Sequence, residues 1–323
     1  MRALRPLRNQ TFLLILTACT VACPPPVRIT PPSAKASAEE LALAGASVLI
    51  GAGDIATCPS REDERTALIV DSVLKADSAA GVKDAVFALG DLVYPSGRTE
   101  DFANCFTPSW GKPDGRIMKQ IRPVPGNHEY DTDGALPYYA YFGDRAGAVG
   151  KGYYRYNLGE WHIYALNSEI ALSTRFTAVD RKAQEDWLRA DLKDNPSKCA
   201  LAYWHHPVFS SGFHRGDARM IPLFQILYDA GAEVLLVGHE HAYERFAPQT
   251  AAGVRDTLRG ITQIVVGTGG ANLRGFGPLV RNSVARVEGY WGVLKLTLGA
   301  GGYQHAFLDT NGRIWDPGKG ACH

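Results

Sequence analysis

The chain has 323 residues, with 34 Lys and Arg against 33 Asp and Glu, a formal net charge of +1. Without a long basic or acidic block, that balance argues against nucleic acid as a main partner. With 46% hydrophobic residues it can bury the core of one large α/β domain or two smaller ones, and 34 Gly and 19 Pro imply long loops able to carry chemistry.

The first 23 residues read as a signal peptide. Three arginines precede a short apolar run, Thr11 to Ala18, and small residues with cysteine follow. The run is too short to remain as a membrane-spanning helix. Leu16-Thr17-Ala18-Cys19 resembles a bacterial lipoprotein signal, so membrane attachment through a lipidated Cys19 is one expectation and an ordinary cleaved leader the other. Residues 24–45, rich in Pro, Ser and Ala, read as a flexible tether, and residues 46–323 as the folded, functional domain. The expected location is therefore outside the cytoplasm, extracellular or periplasmic. There disulfides form, and Cys58, Cys105, Cys199 and Cys322 allow three pairings. Cys58 with Cys105 is favoured, because each lies in a loop just beyond a strand end.

In chain order, Ser47 to Ile50 is the first apolar strand, followed by Gly53-Asp54. Arg61 to Ala80 reads as a helix with Leu68, Ile69, Val73 and Leu74 as its apolar positions. Asp84 to Leu89 is a second strand ending in Gly90-Asp91, and Ile121 to Pro125 an irregular, edge-like one ending in Gly126-Asn127. Gly152 to Leu166 forms a hairpin about Gly159. Val179 to Asn195 is an amphipathic helix with Ala183, Trp187, Leu188 and Leu192 facing inward. Cys199 to Trp204 is a strand ending in His205-His206, Asp217 to Ala230 a helix, and Glu233 to Val237 a strand ending in Gly238-His239-Glu240-His241. Ile261 to Val266, Tyr290 to Leu298 and Tyr303 to Leu308 look like antiparallel strands, with Asn311-Gly312 as a hairpin turn.

Five apolar strands thus each lead within a few residues to a metal-capable side chain. Ligand sites in open α/β sheets gather beyond the carboxyl ends of the strands, which brings Asp54, Asp91, Asn127, His205, His239 and His241 to one rim. Carboxylate, amide and imidazole donors without thiolate suit Fe, Zn or Mn and not a structural zinc. Six are too many for one ion that keeps an open position. Two ions about 3.5–4 Å apart, with one carboxylate bridging, fit hydrolysis of a phosphate ester by hydroxide generated at the metals.

The motifs Gly53-Asp54-Ile55-Ala56, Gly90-Asp91-Leu92-Val93-Tyr94, Gly126-Asn127-His128-Glu129, Trp204-His205-His206-Pro207 and Gly238-His239-Glu240-His241 resemble, in order and general spacing, those of the calcineurin-like metallophosphoesterases. Tyr94 points to the purple acid phosphatase branch. The resemblance implies a mixed α/β fold in four layers, α-β-β-α: a β-sandwich flanked by helices. It implies that Asp54, Tyr94 and His241 hold one ion, Asn127, His205 and His239 the other, and that Asp91 bridges. The ions would be Fe with Zn, Mn or a second Fe, and the partner a small phosphorylated substrate. His128 would contact the phosphate or help protonate the leaving group. His206 would orient a ligand or touch substrate, and His214, on a rim loop, stands where related enzymes carry a proton-donating histidine. Ala56 departs from the usual Gly or His, in keeping with the tyrosine-bearing branch.

The leading expectation is a secreted or surface-anchored phosphomonoesterase. Two alternatives are a phosphodiesterase or nucleotidase with the same metals, and a surface protein that binds metal or phosphate without catalysis. The loops 99–114, 131–151 and 271–288 would decide the substrate, and Tyr138, Tyr139 and Phe276 in them could stack a base. His162 reads as structural, and Glu244-Arg245 as an ion pair fixing its loop.

Overall fold

In the computed structural model, which describes residues 45–323, the apolar runs of the sequence become strands buried on both faces. The first half contributes β1 (Ser47–Ala52), β2 (Ala56–Thr57), β3 (Asp84–Leu89), β4 (Val93–Tyr94), β5 (Ile121–Val124), β6 (Tyr154–Leu158) and β7 (Trp161–Ala165). The second adds β8 (Cys199–Tyr203), β9 (Val234–Val237), β10 (Tyr243–Phe246), β11 (Thr262–Val266), β12 (Ser283–Val287), β13 (Gly292–Gly299), β14 (Gly302–Asp309) and β15 (Ile314–Ala321). They form a six-stranded sheet, β15-β14-β13-β1-β3-β5, a seven-stranded sheet, β12-β10-β11-β9-β8-β7-β6, and the short pair β2-β4. The signal and tether segments, Cys19 included, lie outside the described residues apart from Gly45. Among the described residues no helix is long and apolar enough to cross a membrane.

Strand periodicity divides the core. Successive side chains point to opposite faces, so Trp161, Ile163, Leu201, Tyr203, Val234, Leu236, Ile264 and Val266 face the six-stranded sheet. Their alternates Tyr164, Ala200, Ala202, Leu235, Val237 and Val265 pack instead with Leu188, Leu223, Phe224 and Leu227 of the outer helices. Between the sheets, Phe87 lies against Tyr203 with ring centroids 6.2 Å apart and Tyr243 against Phe307 at 4.7 Å. The helix Glu62–Ala80 covers the far face of the six-stranded sheet through Val70 and Leu74. This is the expected mixed α/β sandwich between helices.

Several local expectations need correction. In Glu62–Ala80 the buried positions are Asp63, Thr66, Ala67, Val70, Leu74 and Asp77, while Leu68 is 64% exposed. In Ala178–Asp194, Gln184 is buried where Ala183 was expected. Gln184 faces inward because it exchanges two hydrogen bonds with the backbone of Asn167, which satisfies a buried amide. β11 is antiparallel to β10 but parallel to β9. The loop 131–151 is largely helical, as is the first half of 99–114, and Tyr138 and Tyr139 are core side chains, unable to stack a base. Glu244 and Arg245 do not pair with each other. Arg245 pairs with Asp316 on β15 at 2.7 Å, and Glu244 accepts hydrogen bonds from the Ser211 amide and the Ser283 hydroxyl.

Among the described residues, two disulfides staple opposite regions. Cys58–Cys105 is the pairing favoured from sequence, although Cys105 lies in the helical turn Phe102–Phe106 and not in a loop beyond a strand end, and Cys199–Cys322 ties the start of β8 to the residue after β15.

Candidate metal centre

Six of the seven expected donors follow the carboxyl end of a strand, and Tyr94 is the last residue of β4. Asp54 follows β1, Asp91 follows β3, Asn127 follows β5, His205 follows β8, and His239 and His241 follow β9. Asp54, Asp91 and His239 adopt left-handed backbone conformations, with φ of 57°, 48° and 67°. Non-glycine residues reach that region at a cost, and such positions cluster at functional sites. Backbone bonds fix the first two strand ends side by side, the amides of Asp54 and Ile55 donating to the carbonyls of Gly90 and Asp91. The floor is paved with glycine for want of room: a Cβ on Gly126 would stand 2.3 Å from Asp91 Oδ1, and one on Gly238 would stand 2.7 Å from Asp54 Oδ2.

The donors form two groups that share one carboxylate. In the first, the Tyr94 hydroxyl lies 2.9 Å from Asp54 Oδ1 and 3.1 Å from His241 Nε2, and His241 Nε2 lies 3.2 Å from Asp54 Oδ1. In the second, His205 Nε2 lies 3.2 Å from Asn127 Oδ1 and 3.3 Å from His239 Nδ1. Asp91 Oδ2 stands between them, 3.2 Å from the Tyr94 hydroxyl and 3.3 Å from His205 Nε2. Donor atoms bound about 2.0–2.2 Å from a common cation lie on the order of 3 Å from one another, and these spacings match.

The surroundings orient these groups. His205 and His241 each turn Nδ1 to a backbone carbonyl, of Leu89 and Asn272, both at 2.6 Å. A ring nitrogen that donates outward leaves the other as a lone pair facing in. Asp54 Oδ2 accepts the His239 amide and Asp91 Oδ1 the His128 amide. Glu129, wholly buried, accepts the amides of Asp91, Leu92 and Gly126. It therefore locks the second and third motifs together, a role that sequence reasoning missed although Glu129 stood in a quoted motif. The signal was a carboxylate beside ligands with no ligand duty of its own.

Charge shows what the cluster would accept. Burial disfavours a charged imidazole, yet the adjoining Asp91 and Asp54 carboxylates hold His205 up at about 10. Burial and the same two carboxylates push the Tyr94 phenol well above its ordinary value. A cation would replace the proton that these acids draw in and would favour the phenolate. Asp54, Asp91 and His205 place donor atoms within 4.8 Å of one another, as do His205, His206 and His239. The residues fit a metal site.

The remaining histidines surround the cluster. His128 is half-buried, with Nδ1 on the Pro95 carbonyl and Nε2 3.7 Å from Asp91 Oδ2. His206 Nδ1 lies 3.1 Å from Glu169 Oε1 and its ring 4.1 Å from that of His239. His214, on an exposed loop, lays its ring 4.7 Å from His239 and accepts a hydrogen bond from Arg274. His162 lies away from the site on β7.

A family model for calcineurin-like phosphoesterases matches residues 50–243. Over 238 residues the chain is 27% identical to acid phosphatase type 7 of Homo sapiens, covering 62% of this chain and 51% of that one. It is 24% identical to purple acid phosphatase 15 of Arabidopsis thaliana, covering 50% of this chain and 36% of that one. The chain thus spans about half or less of the length of these relatives. Among solved structures it is similar to purple acid phosphatase PPD1 from yellow lupin seeds, with a TM-score of 0.71, 17% identity and coverage of 85% and 53% of the two chains. It is also similar to GAP50, the anchor in the inner membrane complex of Plasmodium, with a TM-score of 0.68, 13% identity and coverage of 86% and 89%. The fold, the ordered strand-end motifs and the matched family model together establish that the chain belongs to the calcineurin-like phosphoesterase family.

Proposed function

We propose that this protein is a binuclear metal-dependent phosphatase that hydrolyses phosphate monoesters. The observation that carries the reading is Asp91 Oδ2, within 3.3 Å of a donor atom in each of two otherwise separate sets. Asp54, Tyr94 and His241 would hold one cation, Asn127, His205 and His239 the other, with Asp91 common to both. Tyr94 among these donors, and the likeness to purple acid phosphatases, support iron at the first position, with Zn, Mn or a second Fe at the other. When bound, the cations neutralise charge on the phosphoryl group and make water acidic enough to attack it near neutral pH.

The chain's own side chains do the rest. With Nδ1 committed to Pro95, His128 presents Nε2 toward Asp91, placed to hydrogen-bond a phosphoryl oxygen or pass a proton to the leaving oxygen. His214 projects over His239 from the rim, where a departing alkoxide would emerge. The Ser168 hydroxyl holds His206 Nδ1 with the Glu169 carboxylate beside it, and the His206 ring packs against that of His239. Export of the protein is supported by the leader-like residues 1–23 and by two disulfides, which persist in oxidising compartments. Lipidation at Cys19 rests on the leader pattern alone.

The test is phosphate release by the metal-loaded full chain from p-nitrophenyl phosphate and from bis(p-nitrophenyl) phosphate. The proposal expects kcat/KM for the monoester to exceed that for the diester by at least about tenfold. A reversed preference would make the protein a diesterase, and no release from either would remove the enzymatic reading.

A further inference from the structure

A groove of about 1030 Å³ opens beside the metal cluster, between the loop after β8 and the loop before β12. Its walls are apolar: Phe209, Phe213, Phe276, Pro278, Leu279 and Val280. Phe213 and Leu279 stand 76% and 64% exposed. The two loops are tied together, Gly212 bridging to Phe276, the Gly277 amide donating to the Ser211 carbonyl, and the Val280 amide to the Ser211 hydroxyl. These bonds make the groove a preformed feature.

Arg215 and Arg274 line the same groove. Arg274 connects it to the cluster, since its amide donates to the His241 carbonyl and its guanidinium to His214, whose ring lies over His239. One end of the groove therefore carries two guanidinium groups beside the proposed phosphoryl site, with the Glu240 and Glu288 carboxylates close behind its glycines Gly212 and Gly275, and the rest is mostly apolar. Sites of this size that bind small molecules combine an apolar lining with a few placed polar groups. The complementary ligand has an anionic head and an uncharged, bulky apolar body.

Resting on the phosphatase reading, we propose that this groove binds the alcohol portion of the substrate, and that the preferred substrates are phosphate monoesters of aromatic or bulky apolar alcohols. Arg274, at the junction, steers the phosphate toward the cluster, while Phe276 and Leu279 supply contact for the ring.

The test compares kcat/KM for 2-naphthyl phosphate and glycerol 3-phosphate in the metal-loaded full chain and in its Leu279→Asp and Phe276→Ala variants, together with saturable binding of 2-naphthol followed by its fluorescence. Neither residue belongs to the cluster, and exposed Leu279 can be changed without disturbing the core. Expected is a roughly tenfold loss for 2-naphthyl phosphate and in 2-naphthol affinity, with glycerol 3-phosphate within about twofold. Equal losses on both substrates, or no loss on either, would overturn the groove. If the wild-type chain hydrolyses neither substrate, the phosphatase reading fails and 2-naphthol binding alone decides: binding lost in Leu279→Asp upholds the groove, and absent or unaltered binding overturns it.

Discussion

The floor of the site and its lip are built on different principles. On the floor, donors follow directly from buried strands, three in left-handed conformations, with the rings of His205 and His241 anchored to carbonyls and Glu129 buried beneath. On the lip, His214 and Phe213 are exposed side chains of a loop, and Arg274 comes from another loop of that rim. Strand ends can hold atoms to within a fraction of an ångström because the sheet behind them cannot yield, whereas loops tolerate change. The contrast teaches that metal binding would belong to the floor, and contact with the leaving group and the choice of substrate to the lip.

Substitutions should separate the two. Asp91→Asn, at the shared carboxylate, should have the largest effect, removing bound metal and lowering kcat/KM on the order of 10³-fold; elemental analysis and phosphate release check both. Glu129→Ala leaves three buried amides without their acceptor, and should cost about 3 kcal/mol of stability by denaturant unfolding, with weakened metal retention. His214→Ala, on the lip, should lower kcat about tenfold with metal content unchanged. Loss of metal in that variant would erase the distinction between lip and floor.

The smallest effect is expected at the opposite end of the sheets. Glu233, buried before β9, accepts the amides of Ala200 and His323, and burial pushes it up to about 7 from an ordinary 4.5. Between those values the folded state binds more protons than the unfolded one, so the contribution of Glu233 to stability falls as pH rises through that window. Glu233→Gln should abolish that fall, raising Tm by a few degrees, roughly, at pH 8 and leaving it nearly unchanged at pH 4. Metal content should not move.

The same contrast governs what could be read from the sequence. The floor was legible because a buried parallel strand is a short apolar run and its end is marked by Gly-Asp, Gly-Asn or His-His. The strand ends then placed Asp54, Asp91, Asn127, His205, His239 and His241 on one rim, and Tyr94 joined them through the family resemblance. β10, β12 and β15 were not legible as strands: Tyr243-Glu-Arg-Phe246 hides its strand in charged residues, and Ile314 to Ala321 contains Pro317 and Gly318. The parallel pairing of β11 could not be read, because an apolar strand carries no mark of its neighbour's direction. Arg245 looked paired with its sequence neighbour, whereas its partner Asp316 lies 71 residues away. Tyr138 and Tyr139 looked available because residues 131–151 read as a loop, whereas Leu136–Phe142 is a helix packed into the core. Local pattern reports buried strands well, and helix faces, loops and long-range pairing poorly.

The central claim is that Asp91 joins two cation sites. Metal content per full-length chain, measured by elemental analysis after purification and after reconstitution with Fe, Zn and Mn, tests it most directly. The account predicts about two ions per chain, with iron giving a visible phenolate absorption lost in Tyr94→Phe. One ion per chain, or none after reconstitution, would contradict it.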